Sequence, residues 1–215
     1  GSGPRSATVV GTHLYVLNVY GNSVSVIDTT TNTVTDTVSV GAYPYFSAAV
    51  GTNLYVLNNN SNSVSVIDTT TNTVTDTVSV ESNPIYSTLV GTDLYVLNTG
   101  SDTVSIIDTT TNTVISSLSV GSNPHSATLI GTNLYVANLA GNSLSVIDTT
   151  TNTLISGLCN TYTLTYIAGP GGNIAGTTVQ TVVENDNGSQ VFAIPNAGYS
   201  FTGWSDGSPF IVRQD

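Results

Sequence analysis

Apolar residues along this chain fall in short runs that alternate with polar ones or are dense in β-branched residues, and no stretch repeats at helical spacing. Residues 41–80 show the pattern: Phe46 to Val50, Leu54 to Leu57, Ser63 to Ile67 and Thr73 to Val80 read as four strands. Turn formers separate them at Gly51-Thr52-Asn53, Asn58 to Asn62 and Asp68 to Asn72, where Gly, Asn and Asp suit left-handed or Asx-turn backbone. Connections this tight can join only antiparallel neighbours, so the unit is a small meander.

The unit recurs every 40 residues, with Gly-Thr at Gly11, Gly51, Gly91 and Gly131 and Ile-Asp-Thr-Thr-Thr-Asn-Thr from Ile27, Ile67, Ile107 and Ile147. A period in this range admits solenoids and propellers. The run Leu-Tyr-Val-Leu/Ala-Asn, present four times, is apolar on both faces: Leu54 and Val56 on one, Tyr55 and Leu57 on the other. An open sheet or a sandwich would leave one face polar, whereas radial stacking covers both. The expected fold is therefore all-β, with four four-stranded antiparallel blades of a β-propeller at about 1–40, 41–80, 81–120 and 121–158. A small β domain follows over 159–215, its runs being Tyr162 to Ile167, Thr177 to Val183, Gln190 to Ile194 and Tyr199 to Trp204.

The phrase Asn-Pro-His-Ser-Ala-Thr-Leu-Ile-Gly-Thr-Asn-Leu-Tyr-Val-Ala-Asn from Asn123 to Asn138, followed by Asn142-Ser-Leu-Ser-Val-Ile-Asp-Thr-Thr-Thr-Asn-Thr, resembles the YVTN family of β-propeller repeats. The resemblance covers residues 1 to about 158, although Gly-Thr stands where the family has Pro-Asp-Gly. It implies an extracytoplasmic or cell-surface protein and a ring commonly of seven blades. In the last quarter, Tyr162-Thr-Leu-Thr-Tyr-Ile-Ala-Gly-Pro-Gly-Gly, Pro195-Asn-Ala-Gly-Tyr-Ser-Phe and Gly203-Trp-Ser-Asp-Gly-Ser resemble the divergent internalin-type B-repeat of bacterial surface proteins. That group implies a stalk or adhesion module without catalytic machinery.

Gly1 to Thr8 aligns with Gly121 to Thr128, so the chain opens between repeats. The expectation is a fragment of a larger ring, ahead of a closed four-bladed propeller or half of an eight-bladed ring built from two chains. A last strand beyond Trp204-Ser-Asp-Gly is expected to be missing. Open blade edges make self-association through those edges an expected partner interaction.

Charge narrows the functions. There is no lysine, only Arg5 and Arg213 as cations, and 13 acids give a net charge of −11. Such a surface repels phosphate backbones, which argues against nucleic acid as a partner. No apolar run is long enough to span a bilayer. Cys159, the single cysteine, reads as a small buried side chain, and no Cys/His cluster has zinc-ligand spacing. No cofactor is expected.

Repetition sorts the candidate chemistry. Asp28, Asp68, Asp108 and Asp148 fall at one position of every blade, which separates them and makes them Asx-turn caps rather than a catalytic pair. His13 stands at a turn position and reads as a solvated loop residue. Arg5, Tyr45, Ile85 and His125 each follow a blade proline and differ among otherwise similar copies. Lying where the innermost strand meets the propeller mouth, they form the candidate ligand surface, with Arg5 and His125 as donors and Tyr45 as a stacking face. The loops Val19–Asn22, Asn59–Asn62, Thr99–Asp102 and Leu139–Asn142 vary likewise. Trp204 with Tyr199 and Phe201 reads as core, and Asn185 to Gly188 as a turn. The function expected is that of a non-enzymatic surface protein whose propeller binds a protein or a surface glycan. The alternatives are a lactonase- or oxidoreductase-like propeller enzyme and a purely structural surface-layer element.

Overall fold

A computed structural model describes the chain except residues 160, 184–186 and 215 and the side chains of 156–159, 161 and 183. It separates into two compact units, Gly1–Leu158 and Cys159–Asp215. In the first, every 40-residue repeat forms one four-stranded antiparallel sheet in sequence order. Blade 1 comprises β1 (Pro4–Val10), β2 (His13–Asn18), β3 (Ser23–Asp28) and β4 (Thr33–Ser39). Blade 2 holds β5 (Pro44–Val50), β6 (Asn53–Asn58), β7 (Ser63–Asp68) and β8 (Thr73–Ser79), and blade 3 holds β9 (Pro84–Val90), β10 (Asp93–Asn98), β11 (Thr103–Asp108) and β12 (Thr113–Ser119). Blade 4 holds β13 (Pro124–Ile130), β14 (Asn133–Asn138), β15 (Ser143–Asp148) and β16 (Thr153–Cys159). The first strands lie side by side, β1 on β5, β5 on β9 and β9 on β13, while the last strands splay apart. This is the radial stacking of a β-propeller.

The hairpins are tighter than the turn formers suggest. Val50 pairs with Asn53, leaving a two-residue loop of Gly51-Thr52, and Gly51 takes a φ of 58° that an L side chain rarely adopts. His13 correspondingly starts β2 and pairs with Asp28, so it is a half-buried strand residue and not a loop residue. The connection after Asn58 contains a single 3₁₀ turn, Asn59–Ser61. No helix among the described residues is long and apolar enough to cross a membrane.

The core is a series of blade junctions. Tyr15, Leu17, Val24 and Val26 of blade 1 close on Leu54, Val56 and Ile67 of blade 2, and all but Tyr15, which is 1% exposed, are fully buried. Blades 2 and 3, and 3 and 4, repeat the arrangement. Each junction carries a polar latch: the Tyr15 hydroxyl donates to Asn72 Oδ1 (2.9 Å) and to the Thr69 carbonyl (3.2 Å) in the β7–β8 turn. Tyr55 donates likewise to Asn112 Oδ1 (2.6 Å) and Thr109 O (3.1 Å), and Tyr95 to Asn152. Inside each blade a buried Asn ends the second strand; Asn58 Nδ2 donates to Ser65 Oγ at 2.9 Å.

The second unit has two small sheets. One pairs β17 (Thr161–Thr165) with β19 (Val179–Val183); the other is β18 (Gly172–Ala175), β20 (Val191–Pro195) and β21 (Val212–Arg213) in that order. Two strands here escape the sequence reading. Gly172–Ala175 is hidden by its glycine-rich surroundings, and Val212–Arg213 is only two residues long. A short strand does follow Trp204-Ser-Asp-Gly, pairing Val191 with Arg213. Tyr199 to Trp204 is not a strand: its backbone makes tight turns instead, with Tyr199 N–H donating to Asn196 O and Trp204 N–H to Ser208 O.

One junction position is imperfect. Thr8 Oγ1 meets Ser47 Oγ at 2.8 Å across blades 1 and 2, but at the next junction Ala48 stands where Thr8 does, and the Ser87 hydroxyl is buried with no partner. Replacing Ser87 with Ala removes an unsatisfied polar group and is expected to raise unfolding stability in urea by about 1 kcal/mol. A loss of stability would contradict this account. The latches make a second prediction. Burial, and next the nearby Asp93 and Asp148 charges, push the Tyr95 hydroxyl up to about 12. A raised folded value means the latch contribution is complete below the unfolded-state value of about 10 and is lost as pH climbs toward 12. Tyr95→Phe should therefore flatten the alkaline limb of a thermal-melt profile between those limits.

Candidate functional site

The candidate surface grows from a defect in the ladder between the first two strands of each blade. In blade 2, Pro44 pairs with Asn58 and Phe46 with Leu57, so Tyr45 is an extra residue opposite no partner. The same shift isolates Arg5, Ile85 and His125 in the other blades. A β-bulge bends its strand and re-aims the unpaired side chain, which frees these four positions from ladder constraints.

Before each bulge proline stands a residue in the left-handed region: Gly3 (φ 68°), Tyr43 (61°), Asn83 (56°) and Asn123 (56°). Gly and Asn tolerate that geometry, whereas a tyrosine there costs about 1–2 kcal/mol. Hydrogen bonds at both ends pin it. Tyr43 N–H donates to Asn22 Oδ1 of the preceding blade at 3.0 Å, and its carbonyl accepts from Asn59 N–H at 2.9 Å. Asn62 and Asp102 accept from Asn83 N–H and Asn123 N–H in the same way.

Arg5 and Tyr45 are brought together: the guanidinium carbon lies 3.5 Å from the ring centroid. Tyr45 stacks on Tyr43 (6.3 Å between centroids, 26° between planes), and Tyr43 meets Tyr20 edge-on (6.2 Å, 71°). Tyr20 is 74% exposed, so the row is a surface feature and not core. A shallow depression of about 340 Å³ opens over Arg5, Tyr20 and Tyr43. Ile85 is half-buried and His125 exposed at the equivalent bulges, and no ring or charge contact joins them to the row among the described residues. Sequence reasoning reached Tyr20 only as part of the variable loop Val19–Asn22 and missed Tyr43. Tyr43 was visible two residues upstream of Tyr45, as an aromatic where the other copies carry Gly or Asn.

The four repeated aspartates are local. Asp28 Oδ1 accepts from Thr30 N–H (2.7 Å) and Thr30 Oγ1 (2.6 Å), and Asp68, Asp108 and Asp148 do the same with Thr70, Thr110 and Thr150. These bonds, the threonine hydroxyl's first, hold all four carboxyls below their ordinary range. No group of three His, Cys, Asp or Glu side chains among the described residues is placed to ligate a metal. The Cys159 side chain and residues 185 and 186 lie outside the described residues.

The second unit holds a larger open cavity, about 720 Å³, lined in part by Tyr166, Tyr199, Phe201, Trp204 and Arg213. Trp204 is its hub: the indole N–H donates to Phe210 O at 2.8 Å, and the Tyr166 and Phe201 rings meet it edge-on at 6.0 and 5.7 Å. Arg213 pairs with Asp206 at 2.5 Å. The Ser208 N–H and then Arg213 hold the Asp206 carboxyl low.

Residues 162–214 match the divergent InlB B-repeat domain family. The B-repeat is a bacterial surface repeat, and this match covers the second unit alone. No curated protein matches the chain. Among solved structures, Kuenenia stuttgartiensis hydrazine synthase is similar with a TM-score of 0.65 at 21% identity, covering 90% of this chain and 63% of that one. The dihydro-heme d1 dehydrogenase NirN in complex with DHE is similar with a TM-score of 0.62 at 12% identity, covering 71% and 36%. The chain thus spans less than two thirds of either. At these identities the likeness is one of fold, and the fold is the β-propeller.

The aspartate caps give a pH prediction. Depressed folded values mean that the caps contribute fully above the unfolded aspartate value of about 4 and cease to as pH falls through the folded values. Exchanging Asp28, Asp68, Asp108 and Asp148 together for Asn keeps an acceptor oxygen but removes the titration. The stability difference between wild type and this variant should be largest above pH ~4 and shrink on acidification; a constant difference in equilibrium unfolding would refute the assignment.

Proposed function

We propose that the chain is a non-enzymatic, extracytoplasmic surface protein whose propeller is a binding module and whose B-repeat unit is a stalk-like spacer. The observation that carries the reading is the row Tyr20, Tyr43, Tyr45 and Arg5. It lies on the surface rather than in a core, draws Arg5 and Tyr45 from bulges, Tyr43 from a pre-proline position and Tyr20 from the β2–β3 loop, and includes a tyrosine maintained in a left-handed conformation. Backbone strain retained at Tyr43, a half-buried aromatic within a surface row, points to use of that aromatic. Flat ring faces beside a guanidinium donor suit the C–H faces and hydroxyls of a sugar ring, so a surface glycan is the ligand class. The match to a bacterial surface repeat supports the compartment.

An enzyme of the lactonase or oxidoreductase kind would need acids, histidines or cations converging on the mouth. The residues there argue otherwise: Arg5 is engaged by Tyr45, Ile85 is apolar, and His125 stands a blade further on.

The test is saturable binding of the full chain to a panel of immobilised bacterial and host glycans. Wild type should bind a subset. Tyr45→Ala and Arg5→Ala should each weaken that binding by about tenfold or more, about 1.4 kcal/mol, while Asp36→Asn on the exposed outer strand β4 leaves it unchanged. Retention of no glycan, or equal binding by all variants, would overturn the reading.

A further inference from the structure

Arg5 is the one arginine of the propeller, which has no lysine, in a chain whose net charge is −11. It is exposed, and its guanidinium carbon lies 3.5 Å from the centroid of the Tyr45 ring, a separation at which the two planes stack. Stacking occupies the face of the group and leaves its rim of N–H donors. Those donors meet no acceptor among the described residues, and no carboxylate there lies within ion-pair distance; the ion pair present is Arg213 with Asp206, in the other unit. The whole row spans the junction of blades 1 and 2, which is internal to the chain.

An unpaired arginine in so acidic a chain follows from where the acids sit. Pro4, Asn18 and Ser23 pair at the mouth end of blade 1, and His13, Asp28 and Thr33 at the opposite end. The Asp28 cap is therefore about 17 Å along β3 from the mouth, about two Debye lengths at physiological salt. Asp68 stands at the same remove in blade 2. Asp36 and Asp76 are on the outermost strands, β4 and β8. Of the acids in mouth-side connections, Glu81 follows β8, and Asp102 accepts from Asn123 N–H at the junction of blades 3 and 4.

We propose that the row selects glycans ending in an acidic sugar, a uronic or sialic acid, whose carboxylate is taken by Arg5. This rests on the reading of the row as a glycan site and adds which glycans it takes. Two coplanar oxygens match the forked donors of a guanidinium, and the stack on Tyr45 orders that fork in advance, so less side-chain freedom is lost on binding. Tyr20 and Tyr43 then meet the C–H face of the sugar. The depression they share with Arg5, about 340 Å³, is near the lower bound of ligand pockets, roughly 300 Å³, and suits one sugar residue with its substituents. The overall negative field opposes a polyanion, so the carboxylate belongs to a single terminal residue and not to a densely charged polymer.

The test titrates the full chain, by calorimetry, with short oligosaccharides ending in glucuronic acid or sialic acid, with the methyl ester of each, and with neutral and sulfated counterparts. At least one acid should bind about tenfold or more tightly than its ester, and the preference should shrink as salt rises. Arg5→Gln, which keeps N–H donors but not the charge, should bring that acid down to the level of its ester. Tyr45→Leu, which removes the platform under the guanidinium, should reduce the preference. Esters bound as tightly as acids, a preference that survives Arg5→Gln, or sulfated glycans bound as tightly as carboxylated ones would overturn the proposal. Saturable binding of neutral glycans without an acid preference defeats this selectivity and leaves the glycan reading standing, whereas binding of no glycan defeats both.

Discussion

Every blade is apolar on both faces, and this one constraint orders the rest of the structure. A sheet with Leu54 and Val56 on one side and Tyr55 and Leu57 on the other has no surface to give to water. Fully burying side chains of this size is worth about 1.5–3 kcal/mol each, far more than the exposed threonine turns or surface charges contribute. Blades therefore stack, and the tyrosine latch sets their register, because a hydroxyl at the end of a buried ring must find an acceptor. That acceptor is the left-handed Asn at the tip of the next blade.

The junction also explains how the mouth is positioned. Asn22, Asn62 and Asp102 lie in loops that vary among repeats, yet each binds the backbone of the following blade one residue before its proline. The loop of one blade thus fixes the bulge of the next. The row Arg5, Tyr45, Tyr43 and Tyr20 is consequently a feature of two blades acting together, with Tyr20 and Arg5 supplied by the first and Tyr43 and Tyr45 by the second.

The blade architecture was legible because periodicity and two-faced hydrophobicity are properties of sequence alone. Arg5, Tyr45, Ile85 and His125 stood out by variation, but nothing in the residue types signals that each is a bulge, since an unpaired residue is defined by its neighbour strand. Tyr20 and Tyr43 join the row only in three dimensions. In the B-repeat unit the reading was coarser for a different reason. Gly172–Ala175 and Val212–Arg213 are strands by pairing and not by composition, while Tyr199 to Trp204 has the apolar density of a strand and is bent by Gly198, Gly203 and the turns around them.

The latch has a consequence for the order in which the molecule is made. Tyr15 finds its acceptor 57 residues downstream, and Tyr55 does so again from its own position. On a ribosome, blade 1 can form all its hairpins while its tyrosine face still waits for the third and fourth strands of blade 2 to emerge. Folding is then a processive zipper in which one apolar face is always open at the growing end and is passed from blade to blade as synthesis proceeds. The interval over which a nascent chain is vulnerable to aggregation is set by the repeat length, not by the length of the protein.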